Sequence, residues 1–329
     1  MKQIYRIFIA ISVGAAFLAT TNPEYKSAKP QTIWKLLHEL GENYPDHYVE
    51  PDDQWIAQGE DLIKHGRTVL EDGSKSAYIS KYYTCTSCHN LVREDPDLTV
   101  VDQEARLNYA IEKNIPYLQG STFWGIVNRE TWYNDDYVLK YGDLVRKAEN
   151  SLPESIQLCA KVCSQGRPLE EWEMKSILAY LWSIQMTLSD IDLSIEDLQS
   201  IPDDEKVNFI KSKYLLKSPA TFADPPEDKD KGYDYTGSPE LGEAIFELGC
   251  QHCHRPMGES EVVFENNALT LNWLERHITD KGDLSIYEII RKGTYSEYGH
   301  KEYMPHYTLE KMSHQQVEDL RAFIEQGPI

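Results

Sequence analysis

The sequence predicts a mainly α-helical protein with two small helical domains in tandem, joined by a long linker. Three observations predict this. A Cys-x-x-Cys-His pentad occurs twice, as Cys85-Thr86-Ser87-Cys88-His89 and as Cys250-Gln251-His252-Cys253-His254. Apolar residues recur at helical spacing before and after each pentad. No stretch reads as strand-rich. The expected division is a leader at residues 1–22, a first domain at 23–190, a linker at 191–237 and a second domain at 238–329.

Each element has a local signature. Lys2 and Arg6 precede an apolar run over residues 7–18, and small residues Ala19, Thr20 and Thr21 follow it. That order reads as a secretory signal peptide, with an uncleaved anchor as the alternative. The run falls short of the roughly 20 residues a membrane span needs. In the first domain, Trp55, Ile56, Gly59, Leu62 and Ile63 predict a helix before the pentad. Residues 107–111 predict another, residues 153–164 a third, and residues 169–187 close the domain with Trp172, Ile177, Leu178, Leu181 and Trp182. Residues 117–142 form an insertion rich in aromatic side chains. In the linker, Asp224-Pro225-Pro226-Glu227-Asp228 is turn-prone, while residues 198–216 suggest a short helix wrapping one domain.

The second domain is read more easily. Ser238 is an N-cap with Pro239 at the first helical position. Leu241, Ile245 and Leu248 then lead to the pentad. Ser285 and Glu288 have capping-box spacing, with Leu284 and Ile289 placed as a hydrophobic staple and Gly293 as the stop. Ser313 and Gln316 repeat the capping box, and Val317, Leu320, Phe323 and Ile324 give the last helix its apolar face before Gly327-Pro328.

The pentads carry the chemistry. Two thiols in this spacing add to the two vinyl groups of one porphyrin, and the adjacent histidine reaches the iron. A zinc half-site or a redox Cys-x-x-Cys explains one pentad less well, and a disulfide scaffold leaves both histidines unexplained. The expectation is two covalently attached c-type haems, held by Cys85, Cys88 and His89 and by Cys250, Cys253 and His254. Helix, pentad, helix, loop, helix is the plan of a class I cytochrome c domain. The aromatic insertion is then expected to pack over a haem edge.

The second axial ligand of each iron sets its potential. In the second domain Met304, followed by Pro305 on a loop before the last helix, is the expected ligand. Met257, His300 and His306 are its rivals. The first domain has no Met-Pro, and Met174 and Met186 read as core residues. Cys159 or Cys163 is the alternative there, as an anionic thiolate that favours Fe(III). A Cys159–Cys163 disulfide is the competing reading, although four-residue spacing within a helix suits a disulfide poorly.

Cys159 is followed by Gly166-Arg167 and then by a helix opening Leu169-Glu170-Glu171-Trp172. This Cys-x6-Gly-Arg pattern resembles that of the di-haem thiosulfate dehydrogenases and of the haem subunit of the sulfur-oxidising Sox complex. Residues 59–83 are also similar to the first haem domain of that family. The resemblance implies a His/Cys-ligated haem as the catalytic site, with Cys159 as distal ligand and Arg167 as a site residue, and a His/Met haem as electron exit. Cys163 and the insertion at 117–142 depart from the family pattern and leave the substrate open.

Composition bounds the partners. The 33 Lys and Arg against 54 Asp and Glu give a net charge of −21, which argues against nucleic acid and anionic membranes and for a redox partner with a basic docking face. Lys140, Arg146, Lys147, Lys161 and Arg167 outnumber Asp143, Glu149 and Glu154 over residues 140–167, a basic island suited to a small sulfur anion. The expected location is the periplasm or another exported compartment. The expected function is electron transfer from a low-potential to a high-potential haem, driven by oxidation of an anion such as thiosulfate. A non-enzymatic di-haem carrier is the alternative, and a di-haem peroxidase ranks last.

Overall fold

The computed structural model describes residues 30–280, 285–294 and 304–327. The leader, Leu284 and His300 lie outside these residues. The described chain is helical, and its only β pairing is isolated bridges such as Thr131 with Lys217.

Fourteen described helices follow in order. The first three are α1 (Ile33–Glu39), α2 (Asp53–His65) and α3 (Gln103–Lys113). The insertion contributes α4 (Asp135–Tyr141) and α5 (Asp143–Arg146). Next come α6 (Leu152–Leu158), α7 (Glu171–Ser183), α8 (Ile195–Gln199) and α9 (Lys206–Lys211). The last five are α10 (Pro239–Ile245), α11 (Gln251–His254), α12 (Ala268–Ile278), α13 (Ile286–Lys292) and α14 (His314–Gln326).

The capping signals act largely as read. Ser238 accepts from the Leu241 amide at the start of α10. Ser313 and Gln316 form the reciprocal capping box of α14. Ser285 caps α13 through the Glu288 amide, but the Glu288 carboxylate turns away, to Lys229 at 3.1 Å and Lys292 at 3.0 Å. Two ammonium groups outcompete one backbone amide for that carboxylate.

Two apolar cores organise the chain. The first gathers Leu37, Leu62, Ile63, Val127, Leu181 and Trp182 from α1, α2, α7 and the insertion. The second gathers Ile245, Phe246, Leu271, Leu320 and Phe323 from α10, α12 and α14. Sequence order and core membership diverge at α3. Its Leu107 and Ala110, and Tyr117 after it, are buried in the second core. Tyr117 is pinned there by its amide to Leu248 O at 2.9 Å and its hydroxyl to Gln316 Oε1 at 2.9 Å.

Residues 191–237 form an ordered strap. Leu198, Ile210 and Tyr214 are buried in the first core. The Leu215 amide donates to Leu98 O at 2.8 Å, and the Glu130 amide to Leu216 O at 2.7 Å. Further on, Leu309 N donates to Thr221 O at 3.0 Å, and Tyr233 N to Glu318 Oε1 at 2.8 Å. The strap is therefore anchored to both cores, and residues 31–329 make one compact unit. Among the described residues, no helix is long and apolar enough to cross a membrane.

Candidate functional site: two histidine frameworks

The surroundings of the two pentads repeat each other. In each, a helix before the pentad crosses a later helix of its core at a glycine. A Cβ on Gly59 of α2 would lie 2.0 Å from Ser176 O and 2.9 Å from Tyr180 Cβ of α7. A Cβ on Gly242 of α10 would lie 2.0 Å from Asp319 O and 2.7 Å from Phe323 Cβ of α14. Only glycine lets the backbones approach that closely. The same local sequence follows each glycine, Gly59-Glu60 to Gly66 and Gly242-Glu243 to Gly249.

The pentad histidines are held alike. His89 Nδ1 lies 2.6 Å from Ser121 O, and His254 Nδ1 lies 2.7 Å from Val262 O. A carbonyl only accepts, so Nδ1 carries the proton and Nε2 keeps its lone pair for a metal. Phe123 stacks on His89 and Phe264 on His254, each with ring centroids 4.3 Å apart. In both cases the stacking ring follows two residues after the accepting carbonyl. The loop amides agree as well. Gly120 N donates to Cys88 O at 3.0 Å, and Ser260 N to Cys253 O at 3.1 Å. Burial pushes both imidazoles below their ordinary pKa, which favours the neutral, ligating form. All four pentad thiols are free, and burial pushes Cys85 up to about 11 and Cys250 and Cys253 up to about 12.

The sequence model of the family described as Cytochrome c matches residues 239–328. This segment is a cytochrome c domain. A comparison with curated proteins finds no match for the chain. A cytochrome c domain transfers electrons through a covalently attached c-type haem. Cys250, Cys253 and the oriented Nε2 of His254 fit that group. The loop of Met304 is seated on the end of α13. Thr294 N donates to Met304 O at 2.9 Å, and a Cβ on Gly293 would lie 2.5 Å from that same oxygen. Of its rivals, Met257 is fully exposed. His306 belongs to an aromatic cluster, 4.8 Å from Phe222 between ring centroids.

Around the first pentad the structure brings together both remaining cysteines. Residues Cys159–Cys163 continue α6 as a π turn. Side chains four apart there share one face, and both thiols are free. Hydrogen bonds from Cys159 and Tyr133 hold the Cys163 thiol below its ordinary pKa, while that bond to Cys163, then burial, raise Cys159 well above it. Both sulfurs lie close enough to the first pentad to feel its cysteines, Cys163 acting on Cys88 and Cys85 on Cys159. The insertion roofs this region: Tyr133 packs edge-on against Tyr137 at 4.7 Å, and Tyr137 against Phe222 at 4.9 Å.

The Gly166-Arg167 pair has a structural job here. A Cβ on Gly166 would lie 2.3 Å from Ile79 O and 2.7 Å from Ala160 O. Arg167 was expected to face a substrate. Instead its Nε donates to Tyr78 O, its Nη2 to Ala77 O and its Nη1 to Pro168 O. Nη1 and Nη2 also grip the fully buried Glu173 carboxylate at 2.7 and 2.6 Å. A guanidinium has five N–H donors, and all five are spent on protein acceptors. The basic island thins further, because Arg146 pairs with Asp143 at 2.9 Å.

Two further residues stand close by, of which Gln165 has no signal in the sequence. Gln165 follows the cysteine turn in the left-handed conformation, φ +53°. It is buried, and neither its amide oxygen nor its nitrogen has a hydrogen-bond partner. Arg129 donates to Ser218 Oγ at 2.7 Å and acts electrostatically on His89. Positive φ at a non-glycine residue and a lone buried amide are tertiary facts with no sequence signal.

Proposed function

We propose that this chain is an exported di-haem cytochrome c that oxidises a small inorganic sulfur anion at its first site and passes the electrons out through its second. Cys85, Cys88 and His89 hold the first haem, and Cys250, Cys253 and His254 the second, with Met304 as the second iron's distal ligand. The observation that carries this reading is the repeated framework: the same imidazole–carbonyl bond, stacked phenylalanine and glycine crossing around each pentad. Each bound haem supplies a one-electron couple. The protein's own contribution is to orient Nε2 of each histidine and to keep the imidazoles neutral, and Cys159 and Cys163 are the sulfur donors that would serve the first haem.

The cysteine turn supports the enzyme reading. Cys159 is the proposed distal ligand, with Cys163 beside it. Joining two thiosulfate dianions into tetrathionate forms one sulfur–sulfur bond and releases two electrons, matching two one-electron centres. The unpartnered Gln165 amide and Arg129 are polar groups that could meet an anion or haem carboxylates once Arg167 is spent. The acidic surface suits an electron acceptor with a basic docking face.

The test is stopped-flow reduction of the loaded protein by thiosulfate. Cys159→Ala is expected to slow it by more than about tenfold, about 1.4 kcal/mol of barrier. Reduction at the wild-type rate would remove Cys159 from the reacting centre. The second reading, a carrier without a substrate, is favoured by the full commitment of Arg167. It requires no reduction by thiosulfate, sulfite or tetrathionate, together with fast reduction by a protein partner.

A further inference from the structure

The two pentads, far apart in sequence, touch. His252, a variable residue of the second pentad, places Nε2 3.1 Å from Thr86 O of the first. That carbonyl only accepts, so His252 donates. Ser87, the other variable residue of the first pentad, donates its hydroxyl to Glu259 Oε1 at 3.0 Å. Its carbonyl lies 3.7 Å from Cys253 Sγ. Ser87 is fully buried, and the second oxygen of Glu259 is buried with no hydrogen-bond partner. The variable positions of an attachment pentad need only span the two thiols. Here they instead clasp one pentad to the other.

Resting on the two-haem reading above, we propose that this clasp is the route by which electrons pass between the haems, and that His252 is the residue that positions it. The path runs from the Cys88 sulfur along its main chain to the Ser87 carbonyl and across the 3.7 Å contact to the Cys253 sulfur. In the loaded protein both sulfurs are thioethers bonded to porphyrin. The contact is then van der Waals, and it is the one non-covalent gap in the path. One electron leaves the first haem, which is oxidised, and arrives at the second, which is reduced. His252 itself gains and loses nothing. Its bond to Thr86 O holds the Ser87 carbonyl against Cys253, and the Ser87–Glu259 bond holds the other side.

The experiment compares loaded wild type, His252→Ala and His252→Gln. Haem content per chain and both midpoint potentials are measured first. Internal electron transfer is then followed optically after flash photoreduction. Two haems, unchanged potentials, a severalfold slower transfer in His252→Ala and a near-wild-type rate in His252→Gln are the expected result, because the glutamine amide retains an N–H donor. Two haems with an unchanged rate in His252→Ala overturn the clasp and leave the two-haem reading standing. A slower rate explained by shifted potentials also overturns it. One haem per wild-type chain overturns the two-haem reading and the clasp with it. Where His252→Ala fails to load its haem, Glu259→Ala removes the other bond of the clasp without altering a pentad residue, and the same slowing is expected.

Discussion

Arg167 takes its role from its neighbours. In sequence it is a cation in a basic stretch beside a cysteine. In the fold it ties residues 77–79 to the start of α7, through the buried Glu173. Removing one partner of such a pair leaves a charge buried and uncompensated. Arg167→Gln is therefore expected to lower unfolding stability by about 3 kcal/mol, read as a drop in the urea midpoint, with the visible spectrum of the folded protein unchanged. An unchanged midpoint would mean that Glu173 finds another partner and that Arg167 is not the anchor. The cysteines were legible as free or paired alternatives. Their shared helix face was legible from the four-residue spacing, but the π turn that carries them was not.

At the scale of elements, the two helix crossings make a stringent pair. α2 meets α7 at Gly59, and α10 meets α14 at Gly242, each within 2.0 Å of a backbone oxygen for any added Cβ. One methyl group must therefore push two helices apart. Gly59→Ala and Gly242→Ala are each expected to cost about 1–3 kcal/mol by overpacking, measured by thermal unfolding. On the proposed two-haem reading, loss of the second haem's spectrum ahead of the first is expected only for Gly242→Ala. Equal melting of wild type and both variants would show that the helices separate without cost. The glycine-bearing helices and the caps of α10, α13 and α14 were readable from periodicity and capping residues, whereas α1, α4, α5 and α12 were not. The departure of the Glu288 carboxylate from its own cap was not, because Lys229 reaches it from the strap.

For the whole molecule, the deciding feature is a buried ionic knot between the cores. Glu94, from the segment after the first pentad, bonds Lys311 at 2.6 Å and Arg106 at 3.3 Å. Asn90 Nδ2 and the Thr122 amide donate to the same carboxylate. Burial works to raise the Glu94 pKa, but Lys311 and Arg106 together hold it well below its ordinary 4.5. A carboxyl whose folded pKa is depressed contributes stability above its unfolded pKa and loses it as pH falls toward the folded value. The wild type should therefore lose stability as pH drops below about 4.5. Glu94→Gln should be destabilised by about 3–5 kcal/mol at neutral pH and lose less on acidification. Parallel pH–stability curves for the two would remove Glu94 from this role.

The sequence by itself determined the helical class, both pentads, the caps of α10, α13 and α14 and the helices around each pentad, because all of these depend on spacing along the chain. It also determined the net charge of −21. Tertiary structure decided the rest. It moved α3 and Tyr117 into the second core, made residues 191–237 a strap on both cores, spent Arg167 on Glu173, and brought the two pentads into contact through His252 and Ser87. The physical reason is the same each time: a side chain's partners are set by which surfaces remain to be buried and which donors remain unpaired once the helices pack.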